Sequence, residues 1–227
     1  MVVLTELPPE LILWIVTFLT RETVLNTDSL SGYQKSEEPQ TLPDLSSINA
    51  LSRTNSIFHR TLSQSLYDAC ASVEPLGKLA LLFAAQNQLE SAVERLVAAG
   101  VDLDSDFYCS QRPYSTSRVL HIAAGLGHRS MVVKLLTMYG AEATAKVHAR
   151  TEFPCCWTPL DYAAYSERLE VVRLLAPIRL PAPQVDGGPP LDPVQAHRQY
   201  LGRALVGSAR AGNIEICEYL ISLGGRR

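Results

Sequence analysis

The stretch Leu120-His121-Ile122-Ala123-Ala124 decides the fold of this chain, because its Ala-Ala pair recurs along the sequence. The pair is found again at 84–85 and 163–164, and Ser208-Ala209 is a fourth copy with Ser in the first place. The second residues of successive pairs are 39, 40 and 45 positions apart. A nearly constant period in this range is typical of stacked supersecondary units rather than of one globular core.

Each copy has the pattern of two short helices. Eleven positions after the second small residue every copy has a leucine, namely Leu96, Leu135, Leu175 and Leu220. In the third copy Thr158 precedes Pro159, which suits a helix start, because Thr caps the first turn and Pro needs no intrahelical acceptor there. Residues 169–175 then have apolar side chains at helical spacing. The unit is therefore predicted to be a helix, a turn and a helix.

The repeated unit resembles the ankyrin repeat, whose first helix opens with Thr-Pro-Leu-His and continues to Ala-Ala, and whose second helix ends in Leu-Leu before Gly-Ala. The matching stretches are Thr158-Pro159-Leu160, Leu120–Ala124, Gly127-His128, Leu135-Leu136 and Gly140-Ala141. The resemblance implies an ankyrin-repeat solenoid over residues 77–227 that binds another protein. Its repeats are expected at about 77–103, 118–142, 157–177 and 203–225, with a Pro/Gly-rich interruption at 177–193.

The first 70 residues have a different pattern. Residues 11–16 are continuously apolar, but the run is too short to span a bilayer, and the absence of Lys or Arg before it argues against a signal peptide. Pro8-Pro9-Glu10 instead favours the start of a helix. The polar residues 21–43 are interpreted as a mobile loop insertion. Asp44 then caps a second helical pattern.

This segment resembles an F-box, a helical module that begins with Leu-Pro-x-Glu-Leu, contains an Asp-Leu-x-x-Leu helix and closes on Leu-Tyr or Leu-Trp. The matching stretches are 7–12, 44–53 and Leu66-Tyr67. The insertion at 21–43 is much longer than the loop usual in that family. Chains that combine an F-box with ankyrin repeats are similar to a group common in filamentous fungi. The resemblance implies that residues 1–70 dock on the Skp-type adaptor of a cullin-RING ubiquitin ligase, while the repeats bind a substrate protein that the sequence does not identify.

The F-box resemblance also implies which residues bind the adaptor. They are Leu7, Pro8, Leu11, Ile12, Ile15, Leu45, Ile48 and Leu51. The last three are expected to be partly core and partly contact. The alternative is that these residues only cap the open end of the repeat stack.

The substrate is expected to contact the loops between repeats, where aromatic and Arg side chains are the usual binding anchors. These side chains are Phe107, Tyr108, Arg112, Tyr114, Arg150 and Phe153. The alternative for any one of them is that it fills a gap between the longer loops.

Charge and cysteine content narrow the class of protein. The 20 Lys and Arg against 23 Asp and Glu give a net charge of −3, so there is no basic footprint for nucleic acid or for an anionic membrane surface. The five cysteines are scattered and odd in number, and stacked helices do not depend on disulfides. We therefore expect a reduced protein of the cytoplasm or nucleus that is not secreted.

Enzyme and metal sites are poorly supported by the sequence. His121 lies at the helix-entry position, where the family's histidine is structural, and no nucleophile is placed beside it. Residues 125–130 begin like a dinucleotide-binding loop but lack its third glycine and follow a helix. His148 with Cys155-Cys156 resembles a zinc cluster, yet adjacent cysteines are not a chelate pair and a fourth ligand is missing. We predict no catalytic residue, no metal and no cofactor.

Together the helical patterns and the two resemblances imply an all-helical protein, a small F-box-like module followed by about four ankyrin repeats. Its predicted function is that of a non-catalytic substrate receptor in an SCF-type ubiquitin ligase. The alternative is an ankyrin scaffold unrelated to ubiquitin, in which the N-terminal helices are a cap. The end at Arg227 leaves the outer face of the last repeat uncovered, which suggests a truncated chain or a further partner.

Overall fold

The computed structural model describes residues 8–25, 30, 39–108, 116–152, 156–179 and 192–224. Within these residues the protein is mostly helical with a few short strands, which confirms the expected all-helical repeat fold. The chain forms two compact units, one of Met1–Ala84 with Leu89–Ser110 and one of Ala85–Gln88 with Gln111–Arg227. We call them the N-terminal unit and the C-terminal unit and describe each by itself.

The N-terminal unit is built mainly from short helices. Its elements are α1 (Pro9–Val16), β1 (Thr20–Thr23), β2 (Gln40–Pro43), α2 (Leu45–Ser52), α3 (Ser56–Ala71), most of α4 (Glu74–Gln86), α5 (Glu90–Ala98) and β3 (Asp106–Tyr108). Asp44 and Asn55 begin α2 and α3, because their side chains accept hydrogen bonds from the first-turn amides of these helices. These two bonds measure 3.2 Å and 2.8 Å.

One small core holds the first three helices together. Its buried side chains are Ile12, Val16, Ile48, Phe58 and Leu62. They come from α1, α2 and α3, so each of these helices places one apolar side in this core. Burying a side chain of this size stabilises the folded state by about 1.5–3 kcal/mol.

The polar insertion between α1 and α2 begins and ends as a two-stranded ribbon. β1 and β2 pair antiparallel, with Thr20 opposite Pro43. The Asp44 amide also donates to the Leu19 carbonyl at 2.8 Å, so the two ends of the insertion are held together between the helices. Residues 21–43 were expected to be a mobile loop throughout. The ends of this segment form strands instead, because pairing satisfies the backbone groups of both ends.

The C-terminal unit contains helix pairs. Its elements are β4 (Thr116–Arg118), α6 (Val119–Leu126), α7 (Arg129–Tyr139), α8 (Ala143–His148), α9 (Pro159–Tyr165), α10 (Leu169–Leu175), α11 (Pro193–Ala211) and α12 (Ile214–Ser222). The pairs α6/α7, α9/α10 and α11/α12 correspond to the second, third and fourth copies of the sequence repeat. α9 packs against both α6 and α11, and α10 packs against both α7 and α12. The first helices therefore form one layer and the second helices another.

Small residues allow the first helices to pack closely. The buried small residues of the three pairs are Ala123, Ala124, Ala163, Ala164 and Ser208. The leucines found in every copy are buried as well: Leu96, Leu135, Leu175 and Leu220. The pattern that revealed the repeat is thus the pattern of buried contacts, because a helix without bulky side chains on one face can approach its neighbour.

The turn between the two helices of each repeat uses a left-handed backbone conformation. The residue three positions after the second small residue has a positive φ in every copy: Gln88 at 58°, Gly127 at 83°, Glu167 at 62° and Gly212 at 78°. Glycine adopts this conformation without steric cost, whereas a residue with a side chain pays about 1–2 kcal/mol. The first and third repeats therefore keep their turn at a local cost.

Two helices depart from the boundaries expected from the sequence. α8 lies in the segment 142–156, which was expected to be a loop, because six residues are too few to display helical periodicity. α11 begins at Pro193, well before the expected start of the fourth repeat at residue 203. Asp192 caps it by accepting from the Val194 amide at 3.1 Å. Residues 180–191 of the predicted interruption lie outside the described residues.

Candidate functional site

The most exposed apolar surface in the described part of the N-terminal unit lies on α1 and the turn that follows it. Its residues, which we call the α1 outer face, are Leu11, Leu13, Trp14, Ile15 and Phe18. Trp14 and Phe18 are 62% and 66% exposed, and their rings meet edge to face with centroids 5.1 Å apart. Ile12 and Val16 point the other way into the core. One side of α1 therefore anchors the helix in the core, while the other leaves apolar side chains exposed.

The residues expected to bind the adaptor divide between this surface and the core. Three are exposed, namely Pro8, Leu11 and Ile15. Two are half-buried, namely Leu45 and Leu51. Ile12 and Ile48 are buried and do not lie on the surface, because they pack against α3 in the core. Leu7 lies outside the described residues.

Leu13, Trp14 and Phe18 were not among the residues expected to bind the adaptor, although Leu13 and Trp14 lie on α1 and Phe18 lies in the turn that follows it. The signal was present, since Trp14 is three positions after Leu11 and hence on the same face of α1, and Phe18 continues this spacing into the turn after the helix. A groove of about 370 Å³ lies next to α1 in the N-terminal unit. Leu13, Leu19 and Ala69 line it together with polar side chains. The α1 outer face is thus flanked by a concave surface that a partner side chain can enter.

The loop residues expected to bind a substrate are not all at the surface. Phe107 is buried, because β3 alternates its side chains and Asp106 takes the exposed position. Tyr108 is half-buried and Arg150 is exposed. Arg112, Tyr114 and Phe153 lie outside the described residues. Phe107 therefore contributes to packing rather than to a binding surface.

A larger cleft, of about 670 Å³, lies within the C-terminal unit between α9 and α11. We call it the Trp157 cleft. Its lining residues include Trp157, Tyr165, Asp161, Arg203, Val206 and Arg210. The three α11 residues are three and four positions apart, which places them on one side of that helix. This cleft was not expected from the sequence, because it combines residues as far apart in the chain as Trp157 and Arg203.

Asp161 links the start of α9 to one wall of the cleft. Its carboxylate accepts from the Thr158 amide at 2.8 Å and from the Thr158 hydroxyl at 2.9 Å, which completes a capping box at this helix. Arg203 Nη2 lies 3.8 Å from the same carboxylate and also donates to the Cys156 carbonyl. Burial raises the pKa of Asp161, and the hydrogen bonds from Thr158 and the charge of Arg203 oppose this shift.

His121 is buried at the start of α6. Its Nε2 donates to the Ala149 carbonyl at 3.2 Å, and its ring meets the edge of Tyr162 with centroids 5.6 Å apart. Burial lowers the pKa of His121 to about 4, although the bond to Ala149 acts in the opposite direction. The side chain is therefore neutral at pH 7 and ties the connection after α8 to the first helix of its repeat.

His148 is also accounted for by packing. Its Nδ1 donates to the Thr144 carbonyl at 2.9 Å, and its ring lies against Tyr200, with centroids 4.4 Å apart. Across the described ranges, no group of three or more His, Cys, Asp or Glu side chains has a geometry that could hold a metal ion. Cys155, which completed the zinc alternative, lies outside those ranges. Among the helices in the described parts of the chain, none is long and apolar enough to cross a membrane.

The comparison with known proteins concerns the repeat region. A family model described as "Ankyrin repeats (3 copies)" matches residues 81–186 and, in a second and overlapping match, residues 120–226. Together the two matches cover more than half of the chain and leave out its first 80 residues. No curated protein matches the chain.

Proposed function

The chain belongs to the ankyrin repeat family, and from this premise we propose that it is a non-catalytic substrate receptor of an SCF-type cullin-RING ubiquitin ligase. Ankyrin repeats are protein-interaction modules, which explains the repeats but not the helices before them. In this proposal the N-terminal unit docks on the Skp-type adaptor of the cullin complex, and the repeats bind the substrate protein. The protein then works in the cytoplasm or nucleus, where such ligases act.

The α1 outer face carries the adaptor part of the proposal. Contiguous exposed apolar side chains are uncommon on soluble proteins and mark interaction sites. Trp14 is the strongest candidate anchor, since tryptophan is enriched among the residues that contribute most to binding energy. The motif order of the F-box resemblance, with Leu11 and Ile15 on this same face, supports a helical adaptor as the occupant.

The way α1 is held also favours binding. Ile12 and Val16 fix the helix in the core, and the bond from the Asp44 amide to the Leu19 carbonyl fixes its exit. A surface that is ordered before it meets a partner loses less conformational entropy on association. The long insertion after α1 is compatible with this arrangement, because loop closure entropy rises only slowly with loop length.

The substrate protein contacts the exposed and half-buried residues of the loops. These are Arg150 and Tyr108 among the described residues, with Arg112, Tyr114 and Phe153 from the loops outside them. Their identity as anchors follows from residue type and loop position.

The test is a binding assay between the full chain and a purified Skp-type adaptor. Trp14→Asp should weaken binding by about 30-fold or more, since an interface anchor contributes about 2 kcal/mol or more. Leu11→Asp should act in the same direction. Val133→Asp is the matched control for Leu11→Asp, because Val133, on α7 of the C-terminal unit, is an apolar residue with an exposure of 40% against 44% for Leu11. Ile12→Asp is not informative, since a carboxylate in the core would unfold the N-terminal unit.

Either of two results would reject the adaptor proposal: no measurable binding by the unaltered protein, or equal binding by Trp14→Asp, Leu11→Asp and Val133→Asp. The protein would then be an ankyrin scaffold unrelated to ubiquitin, in which the N-terminal helices serve as a cap. Circular dichroism of each variant shows that loss of binding is not loss of folding.

A further inference from the structure

The Trp157 cleft has two chemically different walls. On one side, Trp157 and Tyr165 form an aromatic wall, with ring centroids 5.1 Å apart and a 49° angle between the ring planes. On the other side, α11 contributes Arg203, Val206 and Arg210. A concave site of several hundred Å³ with apolar walls and a few polar groups is typical of ligand-binding sites. None of the described loop residues expected to bind substrate is among the residues that line this site.

The charges of the cleft are unequally compensated. Asp161 lies 3.8 Å from Arg203, which offsets its negative charge. Arg210 is exposed and has no hydrogen-bond or ion-pair partner among the residues that the structure describes. Arg203 is half-buried, and a guanidinium group has five N–H donors, of which its bond to the Cys156 carbonyl occupies one. The α11 wall thus presents unused donors and a net positive charge.

Resting on the proposed function, in which the repeats bind a substrate protein, we propose that the Trp157 cleft binds a segment of that protein with acidic side chains flanking apolar ones. Arg210 and Arg203 pair with the carboxylates, while Trp157 and Tyr165 pack against the apolar side chains between them. Arg binds carboxylates with two parallel hydrogen bonds, which gives such a site geometric selectivity. A basic segment is disfavoured, because it would meet the unpaired charge of Arg210. Nucleic acid is disfavoured by the net charge of −3.

The spacing of the two arginines suggests the spacing of the acids. Arg203 and Arg210 are seven residues apart on α11, which corresponds to about 10.5 Å along a helix. A peptide in the polyproline II conformation has three residues per turn and rises about 3.1 Å per residue, so residues three positions apart lie on the same side and span nearly the same distance. We therefore expect a motif with an acid, two apolar residues and a second acid.

Tryptophan fluorescence can measure the binding of a peptide in the cleft. The chain has two, so Trp14→Phe leaves Trp157 as the single tryptophan, inside the cleft. The probe is a synthetic peptide library of the form acetyl-Gly-Asp-x-x-Glu-Gly-amide, in which x is Leu, Ile, Val, Phe or Tyr. A second library has Asn and Gln in place of Asp and Glu. We expect saturable changes in Trp157 fluorescence with the acidic library, with dissociation constants of about 1 mM or tighter for its best members, and binding at least about tenfold weaker for the amide library.

Arg210→Glu, made in the Trp14→Phe protein, should weaken acidic peptides at least about tenfold. Arg198→Glu is the matched control, because Arg198 is an exposed arginine on the same helix that does not line the cleft. It should leave binding within about twofold. Circular dichroism monitors folding of both variants.

Three results would overturn the proposal: no saturable response to the acidic library, equal responses to the two libraries, or equal effects of Arg210→Glu and Arg198→Glu. Dimerisation of the peptide-free protein that Arg210→Glu abolishes would also overturn it, since the occupant would then be a second copy of the chain. No adaptor is present in this assay, so its failure is distinct from failure of the adaptor proposal.

Discussion

Helices α1 and α6 are both eight residues long and strongly apolar, yet one is mostly exposed and the other mostly buried. In α6 five residues are buried, because α7 and α9 each cover a side of the helix. In α1 two residues are buried, and α3 covers one side. Apolar composition therefore does not distinguish a buried helix from an exposed one. The number of sides that neighbouring helices cover does.

The ends of the two helices explain part of this difference. α6 ends at Gly127, whose left-handed backbone turns the chain so that α7 follows and packs on α6. α1 ends at Thr17 in a right-handed conformation and runs on toward β1. At α6 this turn allows the next helix to return and cover the first.

The largest expected difference in stability is between two variants, each of which truncates one leucine in one of these helices. Leu120→Ala in α6 should lower the free energy of unfolding by about 2–5 kcal/mol, because it leaves a cavity at a buried position. Leu11→Ala in α1 should change it by less than about 0.5 kcal/mol. Urea unfolding followed by circular dichroism measures both. Equal losses in the two variants would mean that the α1 outer face is covered within the protein.

Acid should destabilise α6 through His121. The pKa of this side chain is lowered by burial to about 4 in the folded state, against 6.5 when unperturbed. Between these two pH values the unfolded state binds more protons than the folded state. The free energy of unfolding therefore keeps its neutral-pH value above pH 6.5 and decreases as the pH falls toward 4, by up to about 3 kcal/mol. His121→Gln should flatten this part of the stability curve measured by urea unfolding at a series of pH values.

The variant must be compared with the unaltered chain at each pH, because Asp161 has the opposite effect. Burial raises the pKa of Asp161, so its protonation increases the stability of the folded state as the pH falls. His59 of the N-terminal unit is exposed, which makes His59→Gln the matched control. Parallel curves for His121→Gln and the unaltered protein would contradict the assigned role of His121.

A smaller effect should come from the turn after α6. Gly127→Ala should cost about 1–2 kcal/mol for the left-handed conformation. The total loss in the free energy of unfolding should be somewhat larger, because the added Cβ would lie 2.7 Å from Arg168 Cδ. It would displace the Arg168 side chain, which donates a hydrogen bond to the Gly125 carbonyl. Gly212→Ala is the control, because it has the same backbone conformation with open space around the added Cβ. Thermal unfolding compares the two, and a smaller cost at Gly127 would show that Arg168 is not held there.

The smallest expected effect on stability belongs to the residue with the largest expected effect on binding. Trp14→Ala should change the free energy of unfolding by less than about 0.5 kcal/mol, because the ring is mostly in solvent and contacts the equally exposed Phe18. Thermal unfolding and the adaptor-binding assay, made on the same sample, test this separation. Strong destabilisation by Trp14→Ala would place Trp14 in a packed contact and remove it from the α1 outer face.

Much of the repeat architecture was predictable from local signals. The Ala-Ala pairs and the leucine eleven positions later are spaced by the helices that they build, so their periodicity located all four copies. The helix starts at Thr158 and Asp44 were also predictable, because a capping side chain acts on backbone groups within the next three residues. Asp192-Pro193 was an equally local signal for the start of α11, although it stands within a Pro/Gly-rich stretch.

The rest depended on neighbours that are distant in the sequence. α8 is too short for a periodic pattern, and Val147 is buried because α8 packs against α7 and α9. Phe107 looked like a binding anchor until the exposed and buried sides of β3 were known. The Trp157 cleft depends on α11 lying against α9, which no single stretch of sequence expresses.

The repeat period, the starts of α2 and α9 and the nearly balanced charge follow from the sequence, because each depends on residues close together in the chain or on composition. The tertiary structure alone decided that Ile12 is buried while Leu11 is exposed, and that Trp157 and Arg210 line one cleft. Burial and proximity are properties of pairs of surfaces, and their free energy comes from water excluded between segments that the sequence keeps far apart.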